Sequence, residues 1–330
     1  MSSSSALFCW SDYVALNKDL SPSMRECDAV AHWEAIGSPQ FRLCNRKQLV
    51  VISEYGPELL LWVCYYHYLL KAGLLFDNIV TTYKGMRPYY YFLPDAQVVE
   101  REGNRTWLGA EHRPFLVNPS EHVARFDTRC WTPPPYRAFY ANSLFSFAKK
   151  PLLVIHNKHN AEWESLTPIN TLSVGLLDDL CRILTPSYTV VYSRPSLGLT
   201  GYSYDHNPLV ELTADKDMLK ARHTDVILYE DLLQRFPTYS YNHLKLLLHA
   251  ACENYVCVQG GNAHMVSFFF QRMVVLHKRG SELKSGAYGG WYHDTRPVAD
   301  KVLRVALTEE QVRTHVGEVF GPRGLLALSI

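Results

Sequence analysis

The sequence predicts an α/β protein built from two Rossmann-like domains facing a cleft, with a small helical element in front. Three observations carry this expectation. Short buried-strand patterns alternate with helical ones through both halves of the 330 residues, the order that builds parallel sheets. A glycine turn joins strand to helix in each half, at Ser53-Glu54-Tyr55-Gly56-Pro57-Glu58 and at Gln259-Gly260-Gly261-Asn262-Ala263-His264. Between the halves stands Pro133-Pro134-Pro135, which neither a helix interior nor a central strand accepts. The expected division is a helical module over 1–45, an N-terminal domain over 46–140 and a C-terminal domain over 151–330.

Composition narrows the class. Hydrophobic residues make up 47% and the formal net charge is +1, which fits a globular protein and not a nucleic-acid arm or an acidic tail. The eight cysteines form no CxxC pair, so neither a zinc ribbon nor a thioredoxin motif is expected. Several lie in apolar runs, as free thiols do in a reducing compartment. MSSSSALFCW is no signal peptide, and the most apolar stretch, Leu59 to Phe76, is interrupted by His67 and Lys71. A cytoplasmic protein with no membrane span is therefore expected.

Taken in order, Trp10, Tyr13 and Leu16 are spaced for one helical face, and Ala29 to Ala35 makes a second helix. His32 sits there among aromatic residues that equally suit a core. Gln48 to Ile52 reads as a buried strand running into the first glycine turn and a long apolar helix. Pro57 suits the first helical turn, where its missing N–H costs nothing. Glu58 complements the helix dipole there, and Glu54 stands at a strand end just before the turn. The next strand, Ile79 to Thr82, leads into Lys84-Gly85-Met86-Arg87-Pro88 and Tyr89 to Tyr91, a basic and aromatic loop suited to sugar binding or to ordinary packing.

In the second half, Pro151 to His156 starts a fresh buried strand that ends in Asn157-Lys158. Helix Val174 to Leu184, strand Tyr188 to Tyr192, strand Val226 to Tyr229 and helix Asn242 to Ala251 follow. Tyr255 to Val258 and Met273 to Leu276 flank the second glycine turn and make a βαβ unit, whose strands are parallel. A Gly-Gly turn lets a ligand approach closely, and free N–H groups there favour an anion such as phosphate. Open α/β sheets bind ligands at this carboxyl edge, where Lys278, Arg279 and Glu282 are also expected.

Several of these motifs together resemble a glycosyltransferase-like family of giant viruses and microbes. The resemblance rests on His156-Asn157-Lys158, Glu162-Trp163, Pro168-Ile169-Asn170, Tyr192-Ser193-Arg194, Gly201-Tyr202-Ser203, Asp205-His206-Asn207, Tyr241-Asn242, Gln259 to His264 and Lys278 to Glu282. The turn from Ser53 to Glu58 is similar too, as is a short N-terminal module carried by Trp10, Tyr13, Asp19, Leu20, Ala29, His32, Trp33, Gly37 and Arg42. The resemblance implies the two-domain GT-B arrangement. The second domain would hold a nucleotide-diphosphate sugar and the first a glycan acceptor, with no further cofactor. A uridine diphosphate sugar is slightly favoured over a guanosine one.

The implied donor set is Asn157, Lys158, Arg194, Tyr204, Asp205, Asn242, Gln259, Gly260, Gly261, Asn262, Ala263, His264, Lys278, Arg279 and Glu282, with Glu282 accepting from ribose hydroxyls. The acceptor set is Lys84, Arg87 and Tyr89. Glu54 is the first choice for the base that takes the acceptor proton, with Glu58 and His32 as rivals. Asp215-Lys216-Asp217 has the DxD form by which other glycosyltransferases hold a metal ion, but its context is a helix start with acids in the first turn, so no metal is expected. Absence of GxGxxG and GxxxxGK[ST] argues against dinucleotide oxidoreductases and P-loop proteins. The alternatives are a non-catalytic protein binding a sugar or nucleotide sugar, and an epimerase or phosphotransferase.

Overall fold

A computed structural model describes residues 9–17, 19–37, 48–75, 78–105, 131–162, 165–195 and 213–321. Helices α1 (Trp10–Leu16) and α2 (Glu26–His32) pack through Tyr13, Val14, Leu20, Ala29 and Trp33, which form a small apolar cluster of their own. Strands β1 (Gln48–Val50), β2 (Ile79–Tyr83) and β3 (Val98–Arg101) form a parallel sheet in that order. The helical run linking β1 to β2 begins at α3 (Tyr55–Pro57), takes π-type hydrogen bonds over Glu58–Val63 and resumes as α4 (Cys64–Lys71). A short helix, α5 (Tyr136–Phe139), follows the triple proline.

The second half is doubly wound. Strands β4 (Leu152–His156), β5 (Thr189–Ser193), β6 (Ile227–Leu228), β7 (Asn254–Val258), β8 (Arg272–Leu276) and β9 (Val302–Ala306) pair in parallel in the order β6-β5-β4-β7-β8-β9. The order reverses between β4 and β7, and the crevice at the carboxyl ends of strands at such a switch point is where open sheets bind ligands. Helices α6 (Val174–Leu184), α7 (Ala214–Arg222), α8 (Tyr229–Arg235), α9 (Tyr241–Ala251), α10 (Gly261–Val266), α11 (Trp291–Asp294) and α12 (Glu309–Phe320) complete the half. Local chemistry sets their starts: Ser173 caps α6, Ser240 caps α9, and Thr308 with Gln311 makes a capping box on α12.

Strand alternation sorts the core. On one face of the large sheet, Leu153, Ile155, Val190, Val256, Val258 and Val274 pack under α6 and α12. On the other, Val154, Tyr255, Cys257, Met273 and Val275 share one cluster with α9, Phe268 to Phe270 and the Tyr55–Tyr66 helix. The halves thus meet through a common apolar core. Among the described residues the first half shows three strands. Strands β3 and β9 lie where sequence periodicity is weak, whereas α12 buries Val312, Val316, Val319 and Phe320 at helical spacing. The expected strand Val226 to Tyr229 shortens to two residues, because Asp231 accepts from the Leu228 N–H at 3.2 Å and starts α8 at Tyr229. Among the described residues no helix is long and apolar enough to cross a membrane.

Candidate functional site

The carboxyl ends of β4, β7 and β8 carry one buried polar network. Lys158, two residues past β4, donates from Nζ to both oxygens of Glu162 at 2.8 and 2.7 Å and to Gln259 Oε1 at 3.3 Å. Gln259, one residue past β7, donates from Nε2 to Glu282 Oε1 at 2.5 Å and accepts from Asn170 Nδ2 at 2.9 Å. His264 on α10 reaches the same Glu282 oxygen through Nε2 at 3.3 Å. Asn170 braces the loop after β8: its Oδ1 accepts from the N–H groups of Lys278 and Arg279, and its Nδ2 donates to the Arg279 carbonyl.

Two buried polar atoms of this network make no hydrogen bond among the described residues: Glu282 Oε2, which lies 3.9 Å from His277 Nδ1, and His264 Nδ1. Burial pushes the Glu282 carboxyl up, but hydrogen bonds from His264 and Gln259 and the imidazole charge outweigh it and hold the group at about 2. It is a carboxylate at neutral pH, and its Oε2 makes no hydrogen bond among the described residues. Trp291 and Tyr292 wall the imidazole, with ring centroids 5.1 and 5.9 Å away.

The glycine turns of the two halves touch at this site. A Cβ on Gly56 would stand 2.4 Å from His264 Nδ1, and one on Gly261 would stand 2.6 Å from Tyr55 Cδ1 and 3.2 Å from the Gly56 nitrogen. Gly260, at φ +125°, brings the backbone against the Lys158 ammonium, where a Cβ would lie 2.9 Å from Nζ. Glu54 occupies the N-cap position of α3 on the first of these turns, with extended backbone and a half-buried side chain that makes no capping hydrogen bond. Behind the seam, Lys245 of α9 donates to Asn262 Oδ1 at 2.6 Å and lies over the rings of Tyr55 and Tyr241. Burial lowers its ammonium to about 7.

The structure therefore gathers Lys158, Gln259, Gly260, Gly261, Asn262, His264 and Glu282 at one place, with Ala263 buried in α10 beneath them. It assigns other work to several expected site residues. Asn157 is fully buried and ties down the 171–172 loop: its Oδ1 accepts from the Leu172 N–H at 3.0 Å, and its Nδ2 donates to Tyr192 Oη at 3.2 Å. Arg194 is buried in a bidentate pair with Asp215, at 2.7 and 3.1 Å, and Tyr192 donates to the same carboxylate. That pair engages both the expected donor cation and the first acid of the DxD pattern. Lys278 is exposed and bridges to Glu309 at 3.3 Å, while the Arg279 side chain is exposed at the rim. Asn242 donates to the Gly85 carbonyl at 2.8 Å and so joins the two halves. Tyr204 and Asp205 lie outside the described residues.

The residues of the expected acceptor loop all have partners within the first half or the seam. Lys84 makes an exposed ion pair with Glu102 at 2.6 Å. Arg87 folds back on its own loop, donating to the Tyr90 and Leu93 carbonyls at 2.9 and 2.8 Å and pairing with Asp95. Tyr89 is buried in the seam, with its hydroxyl against Tyr55 Oη and Met265 Sδ. Two catalytic candidates are likewise held elsewhere. Glu58 is 0% exposed and is bound by Arg105 at 2.5 Å, by Tyr90 Oη at 2.8 Å and by Thr82 Oγ1, which commits both its oxygens. His32 Nδ1 meets Tyr13 Oη at 2.7 Å in the N-terminal cluster. Sequence reasoning missed Asn170, Glu162 and Lys245 as parts of the site. The four-residue step from Lys158 to Glu162 was the legible signal for one of them.

No protein-family model and no curated protein matches the chain. A solved structure described as the wall teichoic acid polymerase TagF is similar at 7% identity, with a TM-score of 0.35, over 80% of this chain and 53% of that one. The chain thus spans about half the length of that structure.

Proposed function

We propose that the chain is a glycosyltransferase that moves a sugar from a nucleotide-diphosphate sugar to a glycan hydroxyl, with inversion and without a metal ion. The observation that carries this is the buried network at the switch point, where one oxygen of the Glu282 carboxylate makes no hydrogen bond among the described residues. In this reading Glu282 accepts from the ribose, and Lys158 with the exposed cations of the 278–279 rim meets the charge that develops on the diphosphate as it leaves. Glu54, on the glycine turn that abuts His264, takes the proton of the acceptor hydroxyl. The freed oxygen attacks the anomeric carbon on the face opposite the departing diphosphate, which inverts the centre.

The test has two arms. Thermal shift against UDP, GDP and their sugars, with and without a chelator, reads the donor site, because a ligand that binds only the folded state raises the melting temperature. UDP is the favoured ligand, its shift should survive the chelator, and Glu282→Gln should remove it. Glu54→Gln should keep the shift and abolish transfer. A shift without transfer in the wild type favours the alternative of a nucleotide-sugar binding protein. No shift with any nucleotide overturns the donor site.

A further inference from the structure

The geometry points to Glu162 as a built-in competitor for the anionic part of the ligand, one that must leave Lys158 before a diphosphate can take its place. The inference rests on the donor-site reading above and adds a residue that sets the affinity of that site.

An ammonium has three protons to donate. Among the described residues, the two Glu162 oxygens and Gln259 Oε1 accept from the Lys158 ammonium. Gln259 is held in turn by Asn170 and Glu282, so its oxygen stays where it is. Glu162 is held less firmly. Its side chain is 17% exposed against 11% for Lys158, and it lies at the outer end of the pair. Gly260 brings the Gly-Gly turn against the ammonium, where a Cβ would lie 2.9 Å from Nζ. An anion entering along that turn meets a lysine already neutralised by a carboxylate in bidentate contact. It binds by replacing Glu162, which swings outward to solvent.

The exchange depends on charge. A diphosphate brings more negative charge and more acceptor oxygens than the carboxylate it displaces, so the exchange can favour it. A neutral sugar brings neither and leaves the Lys158–Glu162 pair intact. The pair thus screens the lysine from neutral ligands and lowers affinity for anions.

The experiment measures binding of inorganic pyrophosphate, UDP and GDP by calorimetry to the wild type, Glu162→Gln, Lys158→Met and the double variant. A melting curve on each verifies folding. Glu162→Gln keeps the size of the side chain and removes its charge. The expected result is about tenfold tighter binding of pyrophosphate and of the preferred nucleotide to Glu162→Gln, a change of 1.4 kcal/mol. Lys158→Met should bind more weakly than the wild type, and the double variant should show none of the gain. Equal or weaker binding to a folded Glu162→Gln overturns the inference, since Glu162 then orients Lys158 for the ligand. A gain for pyrophosphate with no binding of UDP or GDP keeps the competition and removes the nucleotide reading. Failure of all three probes to bind any of the four proteins overturns both.

Discussion

Replacing Glu58 separates a structural carboxylate from a catalytic one. Glu58 is wholly buried, and its partner Arg105 is 2% exposed. Truncation to Ala leaves a buried guanidinium without its counter-charge and strips Tyr90 and Thr82 of an acceptor. Breaking a buried pair from one side costs about 3–5 kcal/mol, most of it the penalty for the stranded charge. Urea denaturation should therefore show Glu58→Ala with an unfolding free energy lowered by that amount, seen as a lower midpoint at an unchanged m-value. Glu58→Leu combined with Arg105→Met should recover most of the loss, because removing both charges removes the penalty as well. A Glu58→Ala protein within about 1 kcal/mol of the wild type refutes the structural account, since that is the range of an exposed pair. Full stability with abolished transfer in Glu58→Gln would return Glu58 to the catalytic role.

The remaining predictions concern the seam and the buried bases. Gly56→Ala places a methyl 2.4 Å from His264 Nδ1, so the usual gain from replacing glycine gives way to an overpacking loss of about 1–3 kcal/mol. Melting temperature and UDP binding should fall together, and an alanine variant as stable as the wild type would show that the seam yields freely. His156 and His249 meet Nε2 to Nε2 at 3.1 Å, and burial first, then neighbouring charge, pushes both well below the usual imidazole value. Below about pH 6.5 the unfolded chain takes up protons that these folded imidazoles refuse, so stability falls with pH by up to about 2.7 kcal/mol per unit for the two together. His249→Phe should flatten that slope in urea melts taken from pH 7 to 5. Lys245, lowered to about 7 by burial, is neutral in the fold where the unfolded chain is charged. Stability should rise from about pH 7 towards 10, and Lys245→Met should abolish that rise; persistence of the rise would assign it to another group.

The sequence by itself determined the strands at the centre of the large sheet and both glycine turns. Runs such as Leu152 to His156 and Arg272 to Leu276 are buried on both faces, so their composition alone marks them. It also placed Lys158, Gln259 and Glu282 at one edge, because parallel strands with right-handed crossovers bring their carboxyl ends together. It missed β3 and β9, whose alternation is weak and whose pairing comes from neighbours distant in sequence. Only the tertiary structure decided which charged residues remain for chemistry. Glu58 and Arg194 looked as available as Glu282 in the sequence, yet Arg105 and Asp215 claim them. A charge in a low-dielectric interior must find a counter-charge, and these pairs join residues 47 and 21 positions apart. Residue type and local spacing do not encode such partners; the folding of each half brings them together.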